Sequence, residues 1–251
     1  VVANARPSAT DYLMEDFFYA GGRPALMQEL GDKLDLSGRT GTGLTLGGDI
    51  ANARNFNTDV IRPLSNPVYA EGSLAVLRGN LAPDGAVIKP AAMDPKFQTH
   101  TGPAIVADSY DALKEIINDE DYPMTPDSVL ILRNAGPQGG PGMPEWGMIP
   151  MPKALLKLGL RDMVRLSDAR MSGTSYGACI LHVAPEAFVG GPLALIKTGD
   201  IIEMDVPGRS LKVQLTDAEL AKRRAAWVAP EPRYQRGYGW MFARHVQQAD
   251  K

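Results

Sequence analysis

The apolar positions change their spacing along the chain, and the change divides it in two. Up to about residue 55 they recur at helical intervals. Residues 12–20 (YLMEDFFYA) read as a helix that Gly21-Gly22 stops. Residues 24–30 restart a helix with Pro24 in the first turn, where its missing N–H costs nothing. Residues 44–53 predict a third, with Leu44, Leu46 and Ile50 inward, and residues 1–7 a short strand. A crossover containing Pro63 and Pro67 follows. From residue 74 onward short strand-like runs dominate, at 74–78, 86–89, 104–107, 129–132, 163–166 and 178–183. Residues 200–206 and 210–215 alternate with period two around Pro207-Gly208-Arg209 and predict a hairpin. Helices interrupt the strands at 109–118 with Ser109 as N-cap, and at 153–158 closed by Gly159. Two more are expected at 217–227, with a Thr216/Glu219 capping box, and at 239–249.

The pattern therefore predicts a mixed α/β, β-rich chain. A mostly helical segment occupies residues 1–57, and a β-rich domain with peripheral helices occupies 58–251. Composition narrows the options. The 251 residues carry a net charge of -3 and no basic run, which argues against a nucleic-acid partner. No apolar run approaches the roughly 18 residues of a membrane span. The single cysteine, Cys179, excludes an internal disulfide and fits a reducing compartment, so a cytoplasmic protein is expected. One cysteine also cannot by itself hold an iron–sulfur cluster. The chain opens on Val-Val-Ala without a signal-peptide pattern or an initiator Met, and reads as a piece of a longer protein.

Candidate chemistry concentrates in the loop Ser167-Asp168-Ala169-Arg170-Met171-Ser172-Gly173-Thr174-Ser175. Hydroxyls beside a fixed positive charge are what a reactive oxygen needs, and equally what an ordinary hydrogen-bonded turn contains. Residues 173–177 match G-x-S-x-G, with Asp205 and His245 following in hydrolase order. A nucleophile elbow requires a strand ending at the motif and a helix starting after it. Here the strand stops well before Ser175 and the strand-like CILHV follows, so the elbow reading is disfavoured. Residues 134–147 (NAGPQGGPGMPEWG) read either as a long surface turn or as a backbone-lined loop bringing Glu145 to a ligand or Mg²⁺. Thr40-Gly41-Thr42-Gly43 precedes a helix but continues into neither a dinucleotide nor a P-loop fingerprint, so capping is expected rather than anion binding. His100, His182 and His245 have no metal-ligand spacing, and His182 and Cys179 read as core residues of one apolar strand.

Several segments together resemble the C-terminal portion of the dihydroxy-acid and sugar-acid dehydratases (the IlvD/Edd family). They are YLMEDFFYAGG (12–22), LRGNLAPDGAVIK (77–89), GPQGGPGMPE (136–145), SDARMSGT (167–174), HVAPEA (182–187) and VGGPLAL (189–195). The SDARMSGT form is nearer the sugar-acid branch, of L-arabinonate type, than the branched-chain biosynthetic branch, where a GRFSGG form is typical. The resemblance implies a C-terminal β-barrel-like domain of the swivelling β/β/α type, preceded by the helical end of a cluster-binding α/β domain. It also implies a hydro-lyase that converts a 2,3-dihydroxy sugar acid (an aldonate) into a 2-keto-3-deoxy acid. Ser172 would be the alkoxide base, Thr174 a neighbouring catalytic hydroxyl, and Glu145 a Mg²⁺ ligand, with Arg170, Ser172 and Thr174 facing substrate. A [2Fe-2S] cluster would act as Lewis acid, its ligands lying in an N-terminal half of the same protein, and the whole would be a homo-oligomer, dimer or tetramer. This chain alone is then expected to be inactive. The alternatives are a cofactor-free binding or assembly module and a dihydroxy-acid dehydratase of branched-chain synthesis.

Overall fold

In the computed structural model, which describes residues 1–5, 12–172 and 176–251, the chain divides into two units, residues 1–73 and 74–251. The first unit carries α1 (Met14–Tyr19), α2 (Gly22–Leu30) and α3 (Leu46–Ile50). Its small core gathers Ala20, Ala25, Val60 and Ile61, with Tyr12, Phe17 and Leu26 packed against them. The strand expected over residues 1–7 is reduced to one bridge, Ala3 to Ile61, with residues 6–11 outside the described set. Helix α3 is shorter than expected because Thr45, not an earlier residue, is its N-cap and accepts from Gly48 N at 3.1 Å. Leu44 therefore precedes the helix and is exposed, while Ile50 is buried as expected. The Thr40 and Thr42 hydroxyls both donate to the Asp49 carboxylate, so this loop already carries a negative charge.

The second unit is built on eight strands. They are β1 (Ala75–Leu77), β2 (Gly85–Ile88), β3 (Thr99–Ala107), β4 (Val129–Leu132), β5 (Arg165–Ser167), β6 (Cys179–Ala184), β7 (Ile201–Asp205) and β8 (Ser210–Val213). They form one sheet in the order β1-β2-β6-β5-β4-β3-β7-β8. The two ends of that order meet. Arg78 N donates to Arg209 O and Leu211 N to Arg78 O, both at 2.9 Å, and the Asn80 side chain pairs twice with the Val213 backbone. The result is a nearly closed barrel, which hides the strand edges that an open sheet would expose. Gly79 permits the closure, since a Cβ there would run into the Leu211 carbonyl.

Period two explains why the strands look uniformly apolar. Along β4, Val129 and Ile131 join one core with Leu166, Ile180, Met204 and Leu211. Leu130 and Leu132 face the other, made with Leu113 and Ile117 of α4 (Tyr110–Asn118), Leu155 of α5 (Lys153–Leu156) and Met163. A strand covered on both faces carries no polar alternation. Ser109 caps α4 by accepting from Ala112 N, and Thr216 caps α6 (Asp217–Ala226) by accepting from Glu219 N, both at 3.2 Å. Helix α7 (Gly237–His245) ends the regular structure. Strand β3 begins at Thr99, five residues earlier than expected. Residues 99–103 pair with β7 alone, so Pro103 sits in a one-sided stretch where a proline is tolerated. Among the described residues no helix is long and apolar enough to cross a membrane.

Candidate functional site

Four adjacent strands, β6, β5, β4 and β3, run parallel, and the glycine- and hydroxyl-rich loops all leave their carboxyl ends. Among parallel strands of α/β folds, open or barrel-forming, ligand sites lie at the carboxyl ends. Such loops present many backbone N–H groups that need acceptors once buried. Two buried carboxylates supply them. Asp168, just after β5, is fully buried. Its carboxylate accepts from Asn134 N at 3.2 Å and Ala135 N at 3.0 Å after β4, and from Ala187 N at 2.9 Å after β6. Burial pushes its pKa up to about 6 against the opposing pull of these N–H donors, and the nearby Glu186 charge adds to the rise. Glu186, 1% exposed, accepts from Gln138 N at 2.9 Å, Gly139 N at 3.0 Å and Gln248 Nε2 at 2.7 Å. Gly136 makes room for it, since a Cβ there would lie 2.6 Å from Glu186 Oε2.

The same edge is braced by Arg133 at the end of β4. Its guanidinium pairs with Asp108 and donates to the carbonyls of Ala194 and Ile196 at 2.8 Å, fixing the segment after Gly191. The ring of Trp146 stacks on Tyr110, 5.4 Å between centroids.

The expected site residues fall on these loops. Arg170 and Glu145 form an ion pair through Arg170 Nη2 and Glu145 Oε1, and the Arg170 carbonyl accepts from Gly147 N at 2.8 Å. The loop after β4 and the loop after β5 are therefore joined twice. Gly147 allows the approach, because a Cβ there would lie 2.6 Å from both the Arg170 carbonyl oxygen and a Leu181 methyl. Ser172 is half-buried two residues beyond Arg170, while Thr174 and Ser175 lie outside the described residues. His182 is half-buried in β6 with a positive φ of 53°, and its amide donates to Ala169 O at 3.1 Å. Burial, and then the Arg170 charge, lower its pKa, which keeps the imidazole neutral near neutral pH. The hydrolase elbow has no framework, since β5 ends at Ser167 and the next described element after Ser175 is strand β6.

The donors present can be weighed against the implied metal groups. Glu145 offers an exposed carboxylate on a tight loop, which suits Mg²⁺, an ion commonly held by one or two carboxylates with substrate and water completing the shell. Among the described residues no group of three or more His, Cys, Asp and Glu side chains is arranged to hold a metal ion. Cys179 does not fit a cluster. It is buried within β6, and burial pushes its thiol pKa up, the opposite of what a thiolate ligand requires. Sequence reasoning missed the structural roles of Asp168, Glu186 and Gln248. An acidic residue directly after an apolar strand, opposite a loop rich in unpaired N–H groups, is the signal that could have found the first two.

Comparison with known proteins identifies the family. Residues 59–251 match the family model described as dihydroxy-acid/6-phosphogluconate dehydratase C-terminal. The chain is 50% identical to a 6-deoxy-6-sulfo-D-gluconate dehydratase of Pseudomonas putida, over 100% of this chain and 44% of that protein. It is 45% identical to an L-arabinonate dehydratase of Rhizobium leguminosarum bv. trifolii, over 99% of this chain and 43% of that protein. It is 44% identical to a dihydroxy-acid dehydratase of Acetivibrio thermocellus, over 95% and 43%. The chain thus spans less than half the length of these curated relatives. With the barrel, the loop set and these matches together, the chain belongs to the dihydroxy-acid/6-phosphogluconate dehydratase family, in its C-terminal part.

Proposed function

We propose that this chain is the C-terminal portion of a sugar-acid dehydratase, a hydro-lyase that removes water from a 2,3-dihydroxy acid to give a 2-keto-3-deoxy acid. The observation that carries the reading is the double joint between Arg170 and the Glu145–Gly147 segment, which couples the one exposed carboxylate of the glycine loop to the hydroxyl loop of Ser172. In this reading the Ser172 oxygen takes the C2 proton, the C3 hydroxyl departs and that proton completes the water, and the enol left behind gives up its hydroxyl proton and gains one at C3 to become the ketone. A serine oxygen accepts that proton only where positive charge favours its alkoxide. Bound Mg²⁺ would supply such charge and orient the substrate carboxylate, with Glu145 among its ligands. Arg170 adds a fixed positive charge on the same side, and Thr174 offers a second hydroxyl to substrate. A [2Fe-2S] cluster, held by residues outside this chain, would supply a Lewis acid for the C3 oxygen. The longer protein is read as a homo-oligomer.

Sugar acids are preferred to branched-chain dihydroxy acids because two sugar-acid relatives match at 50% and 45%. The test is turnover by the full-length protein of a panel of C5 and C6 aldonates and 2,3-dihydroxyisovalerate, reading the 2-keto acid formed. Formation of a 2-keto-3-deoxy sugar acid supports the proposal. Turnover of the branched-chain acid alone, or of nothing in the panel, contradicts it.

A further inference from the structure

Gln248 follows α7 and returns to the carboxyl edge of the barrel. Its Nε2 donates to Glu186 Oε1 at 2.7 Å, and its Oε1 accepts from Glu186 N at 2.9 Å. One residue thus engages both the donor and the acceptor of the amide. The Glu186 carboxylate also accepts from the Gln138 and Gly139 amides, which belong to the loop carrying Glu145. The same C-terminal segment meets that loop once more and faces it across a cleft. The Arg233 guanidinium lies 5.4 Å from the Trp146 ring centre. Tyr234, Tyr238 and Phe242 line a cleft of about 320 Å³ together with Pro141 and Gly142.

We propose that Gln248 is a positioning residue, holding Glu186 so that the glycine loop presents Glu145 in its binding position. A primary amide suits the place. It offers one donor and one acceptor to a residue needing both, and adds no charge beside the Asp168 and Glu186 carboxylates. Removing it takes from Glu186 Oε1 one of its two donors, leaving Gln138 N, and leaves the Glu186 amide without its acceptor. The loop's anchoring then loosens while the barrel strands keep their ladder. The inference rests on the assignment of Glu145 to Mg²⁺.

The test uses the full-length holoenzyme carrying Gln248→Ala, with amide hydrogen exchange and Mg²⁺ titration of turnover. Exchange at Gln138 and Gly139 should quicken about tenfold while that of Val129–Leu132 is unchanged. The Mg²⁺ concentration for half-maximal turnover should rise several-fold, with kcat recovered at saturating Mg²⁺. Unchanged exchange at 138 and 139, or a lower kcat that Mg²⁺ does not restore, overturns the proposal. Should Gln248→Ala quicken exchange throughout the barrel, Gln248→Glu keeps the acceptor for Glu186 N and must give the selective effect; global loss in both also overturns it. Glu145→Gln separates the two layers. An unaltered Mg²⁺ dependence in Glu145→Gln sinks the assignment of Glu145. An altered dependence there, with unchanged exchange in Gln248→Ala, sinks the role of Gln248 alone.

Discussion

Arg170 is joined to the Glu145–Gly147 segment twice, its guanidinium pairing with the Glu145 carboxylate and its carbonyl accepting from the Gly147 amide. The two side chains are 40% and 48% exposed, so the ion pair contributes about 1 kcal/mol or less to stability. Under the proposed function, Mg²⁺ and Arg170 would share the Glu145 carboxylate, and metal binding would leave the guanidinium available to substrate. Arg170→Ala in the full-length protein should leave the melting temperature within a few degrees, lower the Mg²⁺ needed, and raise the aldonate KM about tenfold or more. Steady-state kinetics at varied Mg²⁺ and substrate check this, and an unchanged KM would count against the substrate role.

Gly147 is the other half of that joint. An added methyl would lie 2.6 Å from the Arg170 carbonyl oxygen and from a Leu181 methyl. Gly147→Ala should therefore push the two loops apart, cost about 1–3 kcal/mol and depress turnover out of proportion to the stability lost. Thermal denaturation with an activity assay on the folded fraction reads both quantities. A variant with full activity and unchanged stability would mean that the close approach has no consequence.

Asp168 predicts a pH dependence of definite sign. Its folded pKa is pushed up to about 6 by burial, above that of an unfolded aspartate. The folded state therefore binds the proton more tightly. The stability this group contributes is fully present below about pH 4 and is lost as pH rises through about 6. A carboxyl carbon titration by NMR should place its midpoint near 6; a midpoint near 4 would show that the three N–H donors outweigh burial.

Much of the barrel could be read from the chain because its strands are short and bounded by Pro, Gly and Asn. The hairpin of β7 and β8 and the caps at Ser109 and Thr216 follow from local chemistry that tertiary contacts do not override. Leu44 was misread because an apolar residue before an N-cap looks the same in sequence as one inside the first turn, and Thr45 decides between them. The start of β3 was missed because Pro103 breaks a central strand but not a one-sided one. Parallel pairing of β3 to β6 depends on contacts distant in sequence, and no local pattern encodes it. For the same reason Arg170 and Glu145 could be named as candidates but not paired, and Gln248 could not be connected to Glu186, which lies 62 positions earlier.

The proposed division of labour also predicts how this chain behaves by itself. With Cys179 buried and its pKa pushed up, the isolated chain should bind no iron and lack the visible absorption of a cluster. Iron analysis and a visible spectrum after anaerobic reconstitution check this, and stoichiometric iron with aldonate turnover would contradict the division.

Ser172 is the proposed base. Its most direct test is aldonate turnover by the full-length protein carrying Ser172→Ala, with Ser175→Ala as the control. A half-buried loop serine contributes little to stability, so the Ser172→Ala protein should keep its fold and melting temperature. Turnover should be lost in Ser172→Ala and remain substantial in Ser175→Ala. Substantial turnover by a folded Ser172→Ala enzyme would contradict that assignment.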